Sequence, residues 1–118
     1  MLPKVNRLKR KKDFERVFKE GRGVKESFLF FKWVPNKLRV SRFGFIVSKK
    51  VSKKATLRNK IKRRLREIIR MRILKIKKGI DGIFIASQGL TEKDYKELEW
   101  IINTIFKKSK LLQEKNGT

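Results

Sequence analysis

The chain has 118 residues, with 35 Lys and Arg against 11 Asp and Glu and a formal net charge of +24 at pH 7. It holds no cysteine and no histidine, which excludes a disulfide framework and thiolate chemistry and removes the usual general base and the usual zinc ligands. Hydrophobic residues make up 39%, enough for one domain over 1–118 with a single modest core, while so large a positive charge opposes folding by self-repulsion and calls for a polyanionic partner, of which nucleic acid is the commonest.

Residues 1–10 read as a basic extended segment, its charges interleaved with apolar residues and without a signal-peptide core. Phe14, Val17 and Phe18 stand at i, i+3 and i+4 and predict a helix over 11–20, ended by Gly21 and Gly23. Residues 24–34 read as one strand with apolar residues on both faces. In it Leu29 and Phe31 point opposite to Phe28 and Phe30, so one set packs a core and the other is left over. Asn36, after Pro35, marks a turn, and 40–48 reads as a second strand, so the two runs predict an antiparallel hairpin.

A basic connector covers 48–55, and Thr56 is the predicted N-cap of a helix reaching residue 78. Leu57, Ile61, Leu65, Ile68, Ile69 and Ile73 keep helical spacing along it, and Gly79 stops it. Residues 83–86 form a short apolar run that reads as a buried strand. Thr91, with Asp94 three residues on, resembles a capping box and opens a last helix. Tyr95, Leu98, Ile102, Ile105 and Phe106 make its apolar stripe, and 113–118 is expected to fray. The order α, β, β, α, β, α predicts an α+β fold in which helices pack on a mixed sheet. No apolar run approaches membrane-spanning length, so a cytoplasmic protein without a membrane partner is expected.

The chemistry concentrates in residues 58–67. Arg58, Lys62 and Arg66 fall at i, i+4 and i+8 and form a row along the helix, with Asn59, Arg63 and Arg70 beside it. Like charges at this spacing destabilise a helix by roughly a few tenths of a kcal/mol per pair. Solvated charged faces mix Glu with Lys, whereas here Glu67 alone interrupts the cations. Arginine adds a planar fork that grips phosphate in bidentate fashion, and Asn59 a neutral donor and acceptor for a base edge or a 2′-hydroxyl.

The pattern Arg58-Asn59, Lys62-Arg63, Arg66-Glu67 resembles the signature R-N-x-x-K-R-x-x-R of the bacterial ribonuclease P protein family. Asp13-Phe14, Val17-Phe18 and Gly21 upstream, and Val47-Ser48-Lys49-Lys50 before the basic helix, extend the resemblance over nearly the whole chain. It implies an α/β sandwich similar to ribosomal protein S5 domain 2, with a left-handed βαβ crossover where general handedness rules would predict a right-handed one.

The resemblance also implies two RNA surfaces. Arg58, Asn59, Lys62, Arg63 and Arg66 would contact the catalytic ribonuclease P RNA. Phe14, Phe18, Leu29 and Phe31 would line a cleft for the single-stranded 5′ leader of precursor tRNA, a use that suits aromatic rings set among cations. By the same resemblance the chain is the non-catalytic protein subunit of an endoribonuclease that removes that leader. The RNA subunit carries the chemistry with Mg²⁺, and no cofactor or metal is expected on this chain. Its own acids agree with having no catalytic residue: Glu67 and Asp81 stand alone, and Glu92, Asp94, Glu97 and Glu99 fall among lysines. A structural RNA-binding protein of ribosomal type fits the composition equally well, and a duplex-DNA reader using the basic helix is a third reading.

Overall fold

A computed structural model describes residues 2–113. After a short 3-10 turn at Lys4–Asn6 come α1 (Lys11–Glu20), β1 (Arg22–Glu26), β2 (Leu29–Pro35), β3 (Arg42–Ile46), α2 (Ala55–Arg72), β4 (Ile80–Ala86) and α3 (Tyr95–Ser109). The fold is α+β, as expected, with one strand more than the sequence suggested. The run 24–34 is divided at Ser27 and Phe28, a two-residue turn in which Ser27 adopts φ 52°. No Asn-Gly or Asp-Gly pair announces that turn, and the apolar residues continue straight through it.

The hairpin expected between 24–34 and 40–48 does not form. The sheet order is β1-β2-β4-β3, so β4 lies between the two strands that precede it in sequence. It is antiparallel to β2 and parallel to β3. The reason is burial: Ile80–Ala86 carries few polar groups and is buried along almost its whole length, as a strand covered on both faces must be. The helix α2 is the crossover between the parallel pair β3 and β4.

Helices cover both faces of the sheet. On one, α2 and α3 bury Ile61, Leu65, Ile68, Ile69, Leu98, Ile102 and Ile105 against Leu29, Phe31, Phe43 and Phe84. Four phenylalanine rings form its centre: Phe31 lies 4.4 Å from Phe84 and 5.7 Å from Phe106, with Phe43 6.3 Å from both Phe84 and Phe106. Gly82 makes room for them, since a Cβ there would meet the Phe31 ring at 2.5 Å. On the other face α1 buries Val17 with Leu8, Val34 and Ile83 in a smaller core.

Several boundaries move. Residues 2–10 are packed rather than simply extended: Leu2 joins the main core, Leu8 joins the smaller one, and Arg7 bridges to Phe43. The helix α2 starts at Ala55 with Lys54 as N-cap, not at Thr56, and ends at Arg72, well short of residue 78. Leu57 is exposed rather than part of the buried stripe. The capping box of α3 sits three residues later than Thr91: Asp94 is the cap and accepts from the Glu97 N–H, and the Glu97 carboxylate accepts from the Asp94 N–H. Of the tail 113–118, Gln113 is tied to Lys75 and Ile76, and 114–118 lie outside the described residues.

Phe31 is therefore a core residue. Phe31→Ala is expected to destabilise the protein by about 3–5 kcal/mol, as measured by urea denaturation.

Candidate RNA-binding surfaces

The strand registers arrange the α1 face of the sheet in rows. Val34, Asp81 and Arg42 form one row, Gly23, Lys32, Ile83 and Gly44 the next, and Lys25, Phe30, Ile85 and Ile46 the third. The helix α1 rests on the middle row. Phe14 lies on Gly44, where a Cβ would come within 2.5 Å of its ring. The Lys32 ammonium donates to the Phe18 carbonyl at 2.8 Å and stands 5.9 Å from the Phe18 ring centroid. Phe18 itself is 41% exposed. The third row remains only half-buried at Phe30, Ile85 and Ile46, with Lys25 exposed beside it.

This corrects two residues of the expected cleft. Leu29 and Phe31 are fully buried on the opposite face, among the α2 and α3 side chains, and cannot line a surface beside α1. Strand alternation is the reason: Phe30 and Lys32, one position away from each, face α1 instead. Phe14 and Phe18 do lie on this side. Lys32 and Phe30 are the residues that sequence reasoning missed. Their signal in the sequence is the parity of β2, in which Lys32 shares a face with Phe30.

The second surface is α2. Ile61, Leu65, Ile68 and Ile69 are buried beneath it. Arg58, Asn59, Lys62, Arg63 and Arg66 stay on the outer side, and Asn59, Arg63, Arg66 and Glu67 line a surface concavity of ≈ 380 Å³. Their circumstances differ. The Arg58 guanidinium donates to the carbonyls of Ser52 (2.9 Å) and Lys53 (3.0 Å), so it braces the connector before the helix. Arg70 is engaged by Glu67 at 2.5 Å, which holds the Glu67 carboxyl below the usual carboxylate range. Arg72 bonds Glu99 and Asn103 and ties α2 to α3. Among the described residues, Lys62, Arg63 and Arg66 make no side-chain hydrogen bond or ion pair.

The start of α2 adds to this field. Its first turn holds no acid, no side chain caps it, and Lys49, Lys50, Lys53 and Lys54 are all exposed just before it. Cations at the positive end of a helix dipole are unfavourable on their own. Free N–H groups and cations at one helix start suit an anion such as phosphate. Among the described residues no three His, Cys, Asp or Glu side chains come together in a cluster that could hold a metal ion. Among the same residues no helix is long and apolar enough to cross a membrane.

Fold and surface together define a small basic α+β protein of the kind that binds RNA. The ribonuclease P family model matches residues 2–110. The ribonuclease P protein component of Caldanaerobacter subterraneus is 36% identical over 115 residues, covering 98% of each chain. That of Fusobacterium nucleatum is 38% identical, covering 92% of this chain and 100% of the relative. The solved Staphylococcus aureus ribonuclease P protein superposes with a TM-score of 0.84 at 31% identity, covering 92% of this chain and 98% of that one. The Thermotoga maritima protein gives 0.79 at 32% identity, covering 86% and 96%. The chain belongs to the ribonuclease P protein family. Its partner is therefore RNA, and its setting is the ribonuclease that processes tRNA.

The contrast between Arg58 and Arg63 is testable. Arg58→Ala is expected to lower folding stability by about 1 kcal/mol, through the lost carbonyl contacts, in addition to weakening RNA binding. Arg63→Ala should weaken RNA binding with stability unchanged. Urea denaturation and RNA titration of the same two variants check both.

Proposed function

We propose that α2 binds the catalytic RNA subunit of ribonuclease P and that the α1 side of the sheet binds the single-stranded 5′ leader of precursor tRNA, in the cytoplasm. The observation that carries the reading is the set of uncompensated cations on α2, Lys62, Arg63 and Arg66, on a helix where Arg58, Arg70 and Arg72 are engaged by protein groups. A polyanion removes the repulsion that these residues create. Asn59 beside them offers amide hydrogen bonds to a 2′-hydroxyl or base edge.

On the α1 side, Phe18, Phe30 and Lys32 combine ring faces with a cation, the combination that holds unpaired bases without demanding a sequence. Cutting is then the work of the RNA subunit with Mg²⁺. The protein supplies substrate positioning and charge neutralisation, both of which act through binding.

Reconstitution tests the whole reading. The chain should stimulate cleavage of precursor tRNA only when ribonuclease P RNA is present, most visibly at low salt. Cleavage by the protein alone, or no effect on the RNA, would overturn it, and co-purification with ribosomal subunits without affinity for leaders would favour a ribosomal role. Arg66→Ala should reduce the slope of log affinity against log salt for the RNA subunit by roughly one unit. Phe18→Ala should weaken precursor binding while leaving mature tRNA binding unchanged.

A further inference from the structure

A buried ionic cluster lies under the edge of α1 that faces away from the half-buried row. Its centre is Asp81, whose side chain is wholly inaccessible. Arg42 donates from Nε to Oδ1 at 2.8 Å and from Nη2 to Oδ2 at 2.6 Å, and Asn36 donates to Oδ1 at 2.8 Å. The hydrogen bonds that Arg42 donates to Asp81 raise the pKa of Arg42 against the opposing effect of burial. Two residues of α1 reach into this group. Arg42 Nη1 lies 3.4 Å from Asp13 Oδ2, and Arg16 Nη1 lies 3.8 Å from Asp81 Oδ2 while its Nη2 donates to the Pro35 carbonyl.

Asp13 and Arg16 are one turn apart on the same side of α1, so the cluster joins the helix to β2, β3 and β4 along a single edge. Apart from the hydrogen bond that Lys32 donates to the Phe18 carbonyl at the end of the helix, the remaining α1 contacts are apolar: Val17 sits among Leu8, Val34 and Ile83, and Phe14 sits on Gly44. Apolar burial is strong but non-directional, and it permits a helix to slide or roll over a flat patch. Ion pairs with defined donors and acceptors do not. Buried ion pairs are also poor sources of net stability compared with apolar residues of the same volume. Their contribution here is geometric.

We propose that Asp13 and Arg16 are positioning residues for RNA. Through Arg42 and Asp81 they fix the roll and depth of α1, and so set the spacing between Phe18 on the helix and the Phe30–Ile85–Ile46 row on the sheet. An unpaired base held between those groups needs that spacing kept within a fraction of an ångström. The proposal rests on the leader-binding reading above. It gives a purpose to the aspartate of the Asp13-Phe14 motif, which touches neither RNA surface.

The test uses the reconstituted holoenzyme with Asp13→Asn and Arg16→Gln, both at partly exposed positions that leave Asp81 and Arg42 paired. Each variant should bind precursor tRNA about tenfold more weakly, bind mature tRNA and the RNA subunit as the parent does, and melt at nearly the same temperature. In a Phe18→Ala background, Asp13→Asn should cost much less precursor affinity, because the lock acts through Phe18. Equal losses for precursor and mature tRNA, no loss for either, or full additivity with Phe18→Ala would each overturn the proposal. If Phe18→Ala itself spares precursor binding, the leader reading fails and the proposal fails with it. If Phe18→Ala weakens precursor binding and the α1 variants do not, only the lock is lost.

Discussion

Ile80–Ala86 lies between two strands that both precede it in the chain, and its alternating side chains support two different layers. Phe84 and Ala86 face the core beneath α2 and α3, with Gly82 leaving space for the Phe31 ring. Asp81 and Ile83 face α1. The parallel pairing with β3 directs α2 across the sheet, which places the basic helix outside one face while α1 lies on the other. Both candidate RNA surfaces therefore depend on the central position of this strand, and on the burial that makes a nearly continuous apolar run favourable there.

The distribution of acids explains how a chain of charge +24 folds and still presents cations. Asp81 and Asp13 hold Arg42, Glu99 holds Arg72, and Glu26 holds Lys108. Asp94 and Glu97 form the capping box of α3. These carboxylates act where elements join, so they offset repulsion at the contacts that define the fold. Lys62, Arg63 and Arg66 are outside that network. A polyanion bound there would relieve their repulsion and so couple the electrostatics of folding to RNA binding.

The basic helix was legible because its evidence is local. Residues three and four apart share a face on any helix, so the row of Arg58, Lys62 and Arg66 follows from spacing alone. The leader side was only partly legible. Phe14 and Phe18 are also at helical spacing, and they do lie beside the sheet. Leu29 and Phe31, which the resemblance implies for the cleft, lie on the other face: Phe28-Leu29-Phe30-Phe31 is apolar at both parities, and only Lys32, at the parity of Phe30, marks the open side. A one-residue change of parity reverses every side chain on a strand.

By itself the sequence determined the composition class, the helices α1, α2 and α3, the cationic row, and the family to which the motif belongs. Each of these depends on near neighbours in the chain or on charge totals. Only the tertiary structure decided that β4 enters between β2 and β3, that Phe30 and Lys32 face α1, and that Asp13, Arg16, Arg42 and Asp81 meet under one edge of that helix. Asp13 and Asp81 are 68 positions apart, and nothing in either one's neighbourhood points to the other. Their meeting follows from strand order and register, which are selected by the burial of the whole sheet.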